Sequence, residues 1–252
     1  MSSWRLLNRT WCLWPSRPIA IIEMIGGSYV SASPHLSYKR FLDGLGKKGF
    51  AIHAWSYLPT LDHQAQANEA WKDLRKCREK LQSRISNQIS VIRIGHSLGC
   101  KLHLLAPDRG RNCQSFVALS FNNYTAENSI PMFSEIGQRL GIDNEFRPSP
   151  NETIKLISQK YFQPKNLIIK FKEDNLDESQ KLLISLKRRE CEDFSHSLEI
   201  NGDHLTPVSL GIRQKLLRKW SNNNSKQKSI EILVQKITDW CLKESRSQFI
   251  QN

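Results

Sequence analysis

Ser97 lies in Gly95-His96-Ser97-Leu98-Gly99, a G-x-S-x-G motif between the apolar run ISVIRI (89–94) and a helix-compatible run (100–105). Between a strand and a helix, this motif is typical of a nucleophile elbow, in which the serine hydroxyl stands above the end of the strand. The glycines leave room for a tight, strained turn, and N–H groups at the start of the helix can stabilise an oxyanion. The alternative interpretation is an ordinary βα turn that contains a serine.

A serine nucleophile needs a general base, and the base needs an acid that orients it. His204 lies in GDHLTP (202–207), just after the last predicted strand, and Asp174 lies in FKED (171–174), just after the fifth. The chain order serine, acid, histidine is the order that accompanies this kind of elbow. We therefore predict a triad of Ser97 as nucleophile, His204 as general base and Asp174 as orienting acid.

Other side chains compete for two of these roles. Asp177 is the alternative acid and Glu173 is also close in sequence, whereas Asp203 is less suited because it adjoins the base itself. His196 is the rival base, but it precedes the last strand and should lie at the wrong end of it. A surface-loop histidine is the alternative interpretation of His204.

Two backbone N–H groups are predicted to form an oxyanion hole. The first belongs to Leu98, the residue after the nucleophile. The second should come from the loop after the first strong strand, IGGSY (25–29), and we assign it to Gly27. A plain turn is the alternative interpretation of this loop.

The elements that must position these groups alternate along the chain. Apolar, β-branched runs predict strands at 19–25, 50–55, 89–94, 116–121, 167–172 and 197–201, and apolar stripes predict helices at 38–48, 66–85 and 229–243. This alternation predicts an α/β fold whose mostly parallel sheet is covered by helices on both faces. Parallel strands of such a sheet place their sites at the carboxyl-terminal edge.

Residues 126–164 break this rhythm. They contain two predicted helices, 133–140 and 151–161, separated by a Pro-Ser-Pro linker. We interpret 126–164 as a small helical lid inserted into a single domain that spans 1–252. The residues that could line an acyl pocket, or simply pack in the core or lid, are Tyr29, Tyr124, Met132 and Phe133.

The composition is basic, with 37 Lys and Arg against 24 Asp and Glu, a net charge of +13. The excess is spread along the chain and accompanies no recognisable nucleic-acid motif, so we expect no nucleic-acid partner. An ordinary basic surface explains it, and contact with an anionic membrane surface is the second interpretation. Trp4, Trp11 and Trp14 alternate with arginines, which fits either an interfacial patch or the buried side of an edge hairpin.

The six cysteines are far apart and form no C-x-x-C pair, so we expect reduced thiols, no metal site and no cofactor. No apolar run approaches the roughly 18 residues of a membrane span. Asn8, Arg9 and Thr10 interrupt the apolar start of the chain, so we expect no cleaved secretory signal. These features favour a cytoplasmic type of compartment.

With these residues in hand, the sequence resembles the α/β-hydrolase superfamily and, more narrowly, the domain-of-unknown-function 1350 family of cyanobacteria and chloroplasts. The matching segments are IGG (25–27), PHLSYKRF (34–41), GHSLGCKLH (95–103), NLDES (175–179) and GDHLTP (202–207), within about residues 18–245. The resemblance implies the α/β-hydrolase fold, a triad of Ser97, Asp174 and His204, and a cyanobacterial cytosol or plastid stroma, but no particular substrate. Ile25 departs from the histidine that precedes the oxyanion glycines in many lipases and esterases.

Two functions follow as hypotheses. The first is a serine hydrolase that cleaves an ester or thioester through an acyl-enzyme on Ser97. The alternative is a non-catalytic α/β-hydrolase scaffold that binds a lipid, a pigment or a protein partner.

Overall fold

The computed structural model describes residues 3–28, 30–129, 145–209 and 223–249. Within them, one sheet contains β1 (Arg5–Leu7), β2 (Thr10–Leu13), β3 (Ile21–Ile25), β4 (Ala51–Trp55), β5 (Val91–His96), β6 (Ser115–Leu119), β7 (Asn166–Phe171) and β8 (His196–Ile200). The strand order is β1-β2-β4-β3-β5-β6-β7-β8. Only the pairings of β2 with β1 and β4 are antiparallel, so the predicted, mostly parallel sheet is confirmed.

Helices connect these strands. They are α1 (Pro34–Ser37), α2 (Lys39–Lys47), α3 (His63–Gln82), α4 (Leu98–Leu104), α5 (Ala126–Ser129), α6 (Pro150–Lys160), α7 (Ser179–Lys187) and α8 (Asn223–Phe249). A capping box at Ser149 and Glu152 starts α6, because each side chain satisfies a backbone N–H of the other residue. The predicted helix 133–140 lies outside the described residues.

Strands β3 to β7 are buried on both faces, with Lys170 of β7 as the exception, as parallel strands covered by helices should be. On β3, Ile22 and Met24 pack in a cluster with α2 and α8, whereas Ile25 packs with α3 and α4 on the opposite face. This division follows from the two-residue repeat of a strand, which points successive side chains to opposite sides. The prediction of helices on both faces is therefore confirmed.

The N-terminal tryptophans lie in an edge hairpin or directly beside it: Trp11 is in β2, Trp4 precedes β1 and Trp14 follows β2. β1 and β2 pair antiparallel, and β2 pairs with β4 at the edge of the parallel strands. Trp14 is buried, and Trp4 and Trp11 pack partly buried against the main core. This packing buries much of their apolar surface, which favours the hairpin interpretation over an interfacial patch.

A buried ion network joins the strands that precede the predicted site. Glu23 of β3 and Arg93 of β5 are register partners, and Arg93 also binds Asp108 at 2.7 Å. Arg78 of α3 reaches Glu23 at 3.0 Å. Because each of these charges has a partner, the cost of removing it from water is offset. The network holds together the two strands that lead to Gly27 and Ser97.

Residues 145–150 of the predicted lid pack on α3 and α4, and α6 matches the helix predicted at 151–161 to within one residue. Lys101 donates a hydrogen bond to the Pro148 carbonyl at 3.0 Å, and burial lowers the pKa of Lys101 to about 8. His63 stacks on Phe146 with 4.2 Å between ring centroids. His63 is buried, and neither of its ring nitrogens has a hydrogen-bond partner.

Three properties predicted from composition can be compared with the structure. None of the helices in the described ranges is long and apolar enough to cross a membrane. In the same ranges, no group of three or more His, Cys, Asp and Glu side chains could hold a metal ion. All six cysteines are free thiols, and five of them are buried.

Candidate active site

Ser97 occupies a strained turn between β5 and α4. Its backbone angles are φ 54° and ψ −123°, which an L-residue rarely adopts. A Cβ on Gly95 would come within 2.5 Å of the Cys100 Cα, and one on Gly99 within 1.9 Å of the Ile25 carbonyl oxygen. Both positions therefore require glycine. The structure confirms the strand–turn–helix conformation predicted from the motif.

His204 and Asp174 meet at the carboxyl-terminal edge of the sheet. The His204 Nδ1 lies 2.9 Å and 3.1 Å from the two carboxylate oxygens of Asp174. A carboxylate only accepts hydrogen bonds, so Nδ1 carries a proton, and Nε2 is the nitrogen that this geometry leaves to act as a base. Burial is the largest single effect and raises the pKa of Asp174, but the hydrogen bond from His204, its charge and other hydrogen bonds to the carboxylate together outweigh burial and lower that pKa.

The rival residues have other surroundings. Asp177 accepts hydrogen bonds from the N–H and the hydroxyl of Ser179 at the start of α7, and burial raises its pKa. Glu173 and Asp203 are exposed. His196 is the exposed first residue of β8, at the opposite end of that strand from His204. The structure thus brings Asp174, and none of these rivals, to the His204 ring.

His96 links the oxyanion loop to the histidine loop. The Gly27 N–H donates to the Tyr38 hydroxyl at 2.8 Å, the Tyr38 hydroxyl contacts His96 Nδ1 at 2.8 Å, and His96 Nε2 contacts the His204 carbonyl at 2.8 Å. Burial lowers the pKa of His96 to about 3, so the ring is neutral. A carbonyl oxygen cannot donate, so Nε2 carries the proton and the Tyr38 hydroxyl donates to Nδ1. Each polar group in this series of hydrogen bonds therefore has a partner.

This series of hydrogen bonds engages one of the two N–H groups predicted for the oxyanion hole. Gly27 does lie against the nucleophile, because a Cβ there would be 3.2 Å from the Ser97 Cβ. Its N–H, however, is engaged by Tyr38. In this arrangement the N–H serves a buried phenol and is not available to a substrate oxygen. The assignment of Gly27 as an oxyanion donor stays a prediction. Leu98 is the first residue of α4, and the N–H groups of a first helical turn have no acceptor within the helix.

Asn122 is a site residue that sequence reasoning missed. Its side-chain Nδ2 donates a hydrogen bond to the Ser97 Oγ at 3.0 Å. Among the described residues, the Ser97 hydroxyl has no hydrogen bond to His204. Asn122 follows β6, the strand next to β5, so its place at the carboxyl-terminal edge was the available signal.

The predicted pocket residues are only partly described. Tyr124 is half-buried, and burial raises its pKa. Tyr29, Met132 and Phe133 lie outside the described residues, as does the middle of the predicted lid.

Comparisons with known proteins agree with this architecture. The model of the family described as "Protein of unknown function (DUF1350)" matches residues 3–239. No curated protein matches the chain.

Solved structures match over most of their length. The Francisella virulence factor BioJ is 18% identical over 96% of this chain and 84% of its own, with a TM-score of 0.63. The Paleococcus ferrophilus monoacylglycerol lipase is 12% identical over 92% and 98%, with a TM-score of 0.59. The Staphylococcus aureus fluorophosphonate-binding serine hydrolase FphF is 14% identical over 94% and 97%, with a TM-score of 0.58. At these identities the likeness shows the fold, which is the α/β-hydrolase fold.

Proposed function

Because the chain belongs to the DUF1350 family and has the α/β-hydrolase fold, we propose that it is a serine hydrolase that cleaves an ester or thioester. The observation that carries this proposal is the hydrogen bond of 2.9 Å between His204 Nδ1 and Asp174, at the same sheet edge as the strained Ser97. The hydrogen bond orients His204 as a base, and Ser97 at the same sheet edge is the nucleophile that this base would serve. The similar solved structures, which include a lipase and a fluorophosphonate-binding serine hydrolase by name, support the same class of reaction.

In the proposed acylation, His204 Nε2 takes the hydroxyl proton of Ser97 while Oγ bonds to the acyl carbon. The carbonyl electron pair moves to the oxygen, which the Leu98 N–H stabilises as an oxyanion. The oxyanion then re-forms the carbonyl, and the bond to the leaving alcohol or thiol breaks. That leaving group receives the proton from His204, so the products are the acyl-enzyme and a neutral alcohol or thiol.

Deacylation repeats these steps with water. His204 takes a proton from water, the hydroxide bonds to the acyl carbon, and Ser97 leaves with the proton that His204 returns. Asp174 does not exchange protons in this scheme. Its buried carboxylate keeps Nδ1 protonated and stabilises the transient imidazolium.

A fluorophosphonate probe tests the proposal because it reacts with activated serines. We expect the wild type to be labelled and Ser97→Ala to be unlabelled, with unchanged circular dichroism. Ser90→Ala is the matched control, since Ser90 is exposed just before the opposite end of β5. A folded wild type that resists labelling would refute the proposal.

One observation favours a second candidate, a non-catalytic scaffold that binds a lipid, a pigment or a protein. In the described residues, the Ser97 hydroxyl bonds to Asn122 and not to His204. This candidate predicts a bound molecule after native purification, detectable by mass spectrometry and retained by Ser97→Ala. Loss of that molecule in Ser97→Ala would contradict it.

A contact with an anionic membrane surface is a separate proposal, which rests on the net charge of +13. It predicts that vesicles containing anionic lipid bind the protein at low salt and release it at high salt. Binding that does not depend on salt would refute it.

We further propose the plastid stroma or cyanobacterial cytosol as the compartment of this protein, which the six free cysteines support.

A further inference from the structure

We propose that Asn122 is a positioning residue of the nucleophile, which aims the Ser97 hydroxyl proton at His204 and shares the charge that develops on Oγ. This inference rests on the proposed function. Its basis is the hydrogen bond of 3.0 Å from the Asn122 side-chain amide to Ser97 Oγ. An Asn side chain has two N–H donors on one nitrogen, so Oγ must be the acceptor in this contact.

The backbone on either side of Asn122 is fixed by one carboxylic residue. Glu178 donates its N–H to the Phe121 carbonyl at 2.7 Å, and its side chain accepts the Asn123 N–H at 2.6 Å. Glu178 is 8% exposed and is also paired with Lys181. Asn122 is thus held between two anchored neighbours, so its amide is aimed before any substrate arrives. Such preorganisation is what makes a donor effective at a reacting atom.

The hydrogen bond has a direct chemical consequence. A hydroxyl oxygen has one proton and two lone pairs. Asn122 occupies one lone pair, so the proton is left for the His204 base and the second lone pair for the acyl carbon. As the proton leaves, negative charge grows on Oγ, and the N–H bond strengthens because a charged acceptor binds more tightly than a neutral one. Loss of this bond should slow acylation about 10- to 100-fold.

Two replacements separate this role from a purely structural one. Asn122→Leu keeps the approximate shape and removes the donor, whereas Asn122→Asp keeps the shape and replaces the donor with a negative acceptor. We expect the second-order rate constant of fluorophosphonate labelling at pH 8 to fall about 10-fold or more in Asn122→Leu. It should fall further in Asn122→Asp, because the carboxylate repels the developing alkoxide. A packing role predicts the reverse order, since Asp is the closer match in size and polarity.

Asn87→Asp is the charge-matched control, because Asn87 is exposed beyond the opposite end of β5 from Ser97. It should label at the wild-type rate. If Asn122→Leu fails to fold, Asn122→Ala serves as the second donor-free variant. Labelling of both donor-free and acidic variants at the wild-type rate, or faster, would overturn the inference and leave the proposed function intact. A folded wild type that is not labelled would overturn both.

Discussion

Four buried histidines should make the stability of this protein steeply dependent on pH. Burial lowers the pKa of His53, His63, His96 and His103 to about 3. The same side chain has a pKa of about 6.5 in an unfolded chain. Below pH 6.5 the unfolded state therefore binds more protons than the folded state, and the free energy of unfolding decreases as the pH falls from 6.5 towards 3.

Replacing His63 with phenylalanine tests this reasoning at one site. The His63 ring stacks on Phe146 and its nitrogens have no hydrogen-bond partner, so His63→Phe removes a titrating group without removing a hydrogen bond. At pH 5 the protonation of one such histidine in the unfolded state costs the fold about 2 kcal/mol, and at pH 7.5 it costs almost nothing. We expect His63→Phe to gain about 2 kcal/mol over the wild type between these two pH values.

Urea unfolding of the wild type and of His63→Phe, each at pH 7.5 and pH 5, measures this difference. Any effect of the larger ring on packing is the same at both pH values and cancels in the comparison. His196→Gln is the matched control, because His196 is exposed and should change nothing. A stability difference for His63→Phe that is equal at both pH values would refute the reasoning.

Three further predictions concern the site. Asp174→Asn should lower the rate of turnover or labelling by about 10⁴-fold, whereas Asp177→Asn should keep that rate within a few-fold of the wild type. Equal losses of rate in one assay would contradict the assignment of the acid. Tyr38→Phe should reduce the free energy of unfolding by about 1–3 kcal/mol in urea titrations, because His96 loses its donor, and an unchanged value would count against the hydrogen-bonded chain. Gly99→Ala should prevent folding into the native state, as measured by circular dichroism, because its Cβ would overlap a β3 carbonyl oxygen at 1.9 Å. A folded, labelled Gly99→Ala would refute that steric argument.

The parts of this molecule that sequence predicted are those with a local physical signature. Strands β3 to β7 were recognisable because buried parallel strands are short, apolar runs. The elbow was recognisable from the local spacing of its glycines, although the contact that requires Gly99 is with the distant Ile25. The ends of several elements differ from the prediction by one to three residues, and α8 extends six residues beyond the helix predicted at 229–243 at each end. Helix α7 was not predicted, because its mixture of lysines and aliphatic residues has no strong stripe.

The missed site residues depend on contacts distant in sequence. Asn122 donates a hydrogen bond to the Ser97 side chain, 25 positions away. The Tyr38 hydroxyl bonds to both Gly27 and His96, which lie in different parts of the sequence. In the sequence, Tyr38 resembles an ordinary apolar residue at the start of a helix, and Asn122 resembles any polar residue in a loop. For the same reason, the hydrogen bond from the Gly27 N–H to Tyr38 was not predicted, since a loop of glycines does not reveal which side chain will engage it.

His204 follows β8, an edge strand of the sheet, and this position affects how the proposed activity should be lost on heating. Among the described residues, β8 is the last strand of the sheet and pairs only with β7, and three of its five residues are exposed. β5, which leads to Ser97, is central. Edge elements open locally at a lower free energy than the central strands of a fold. Detachment of β8 would displace His204, the proposed base, while most of the sheet stays native. Inactivation should therefore begin below the temperature of global melting, and hydrogen exchange should be faster in β8 than in β5.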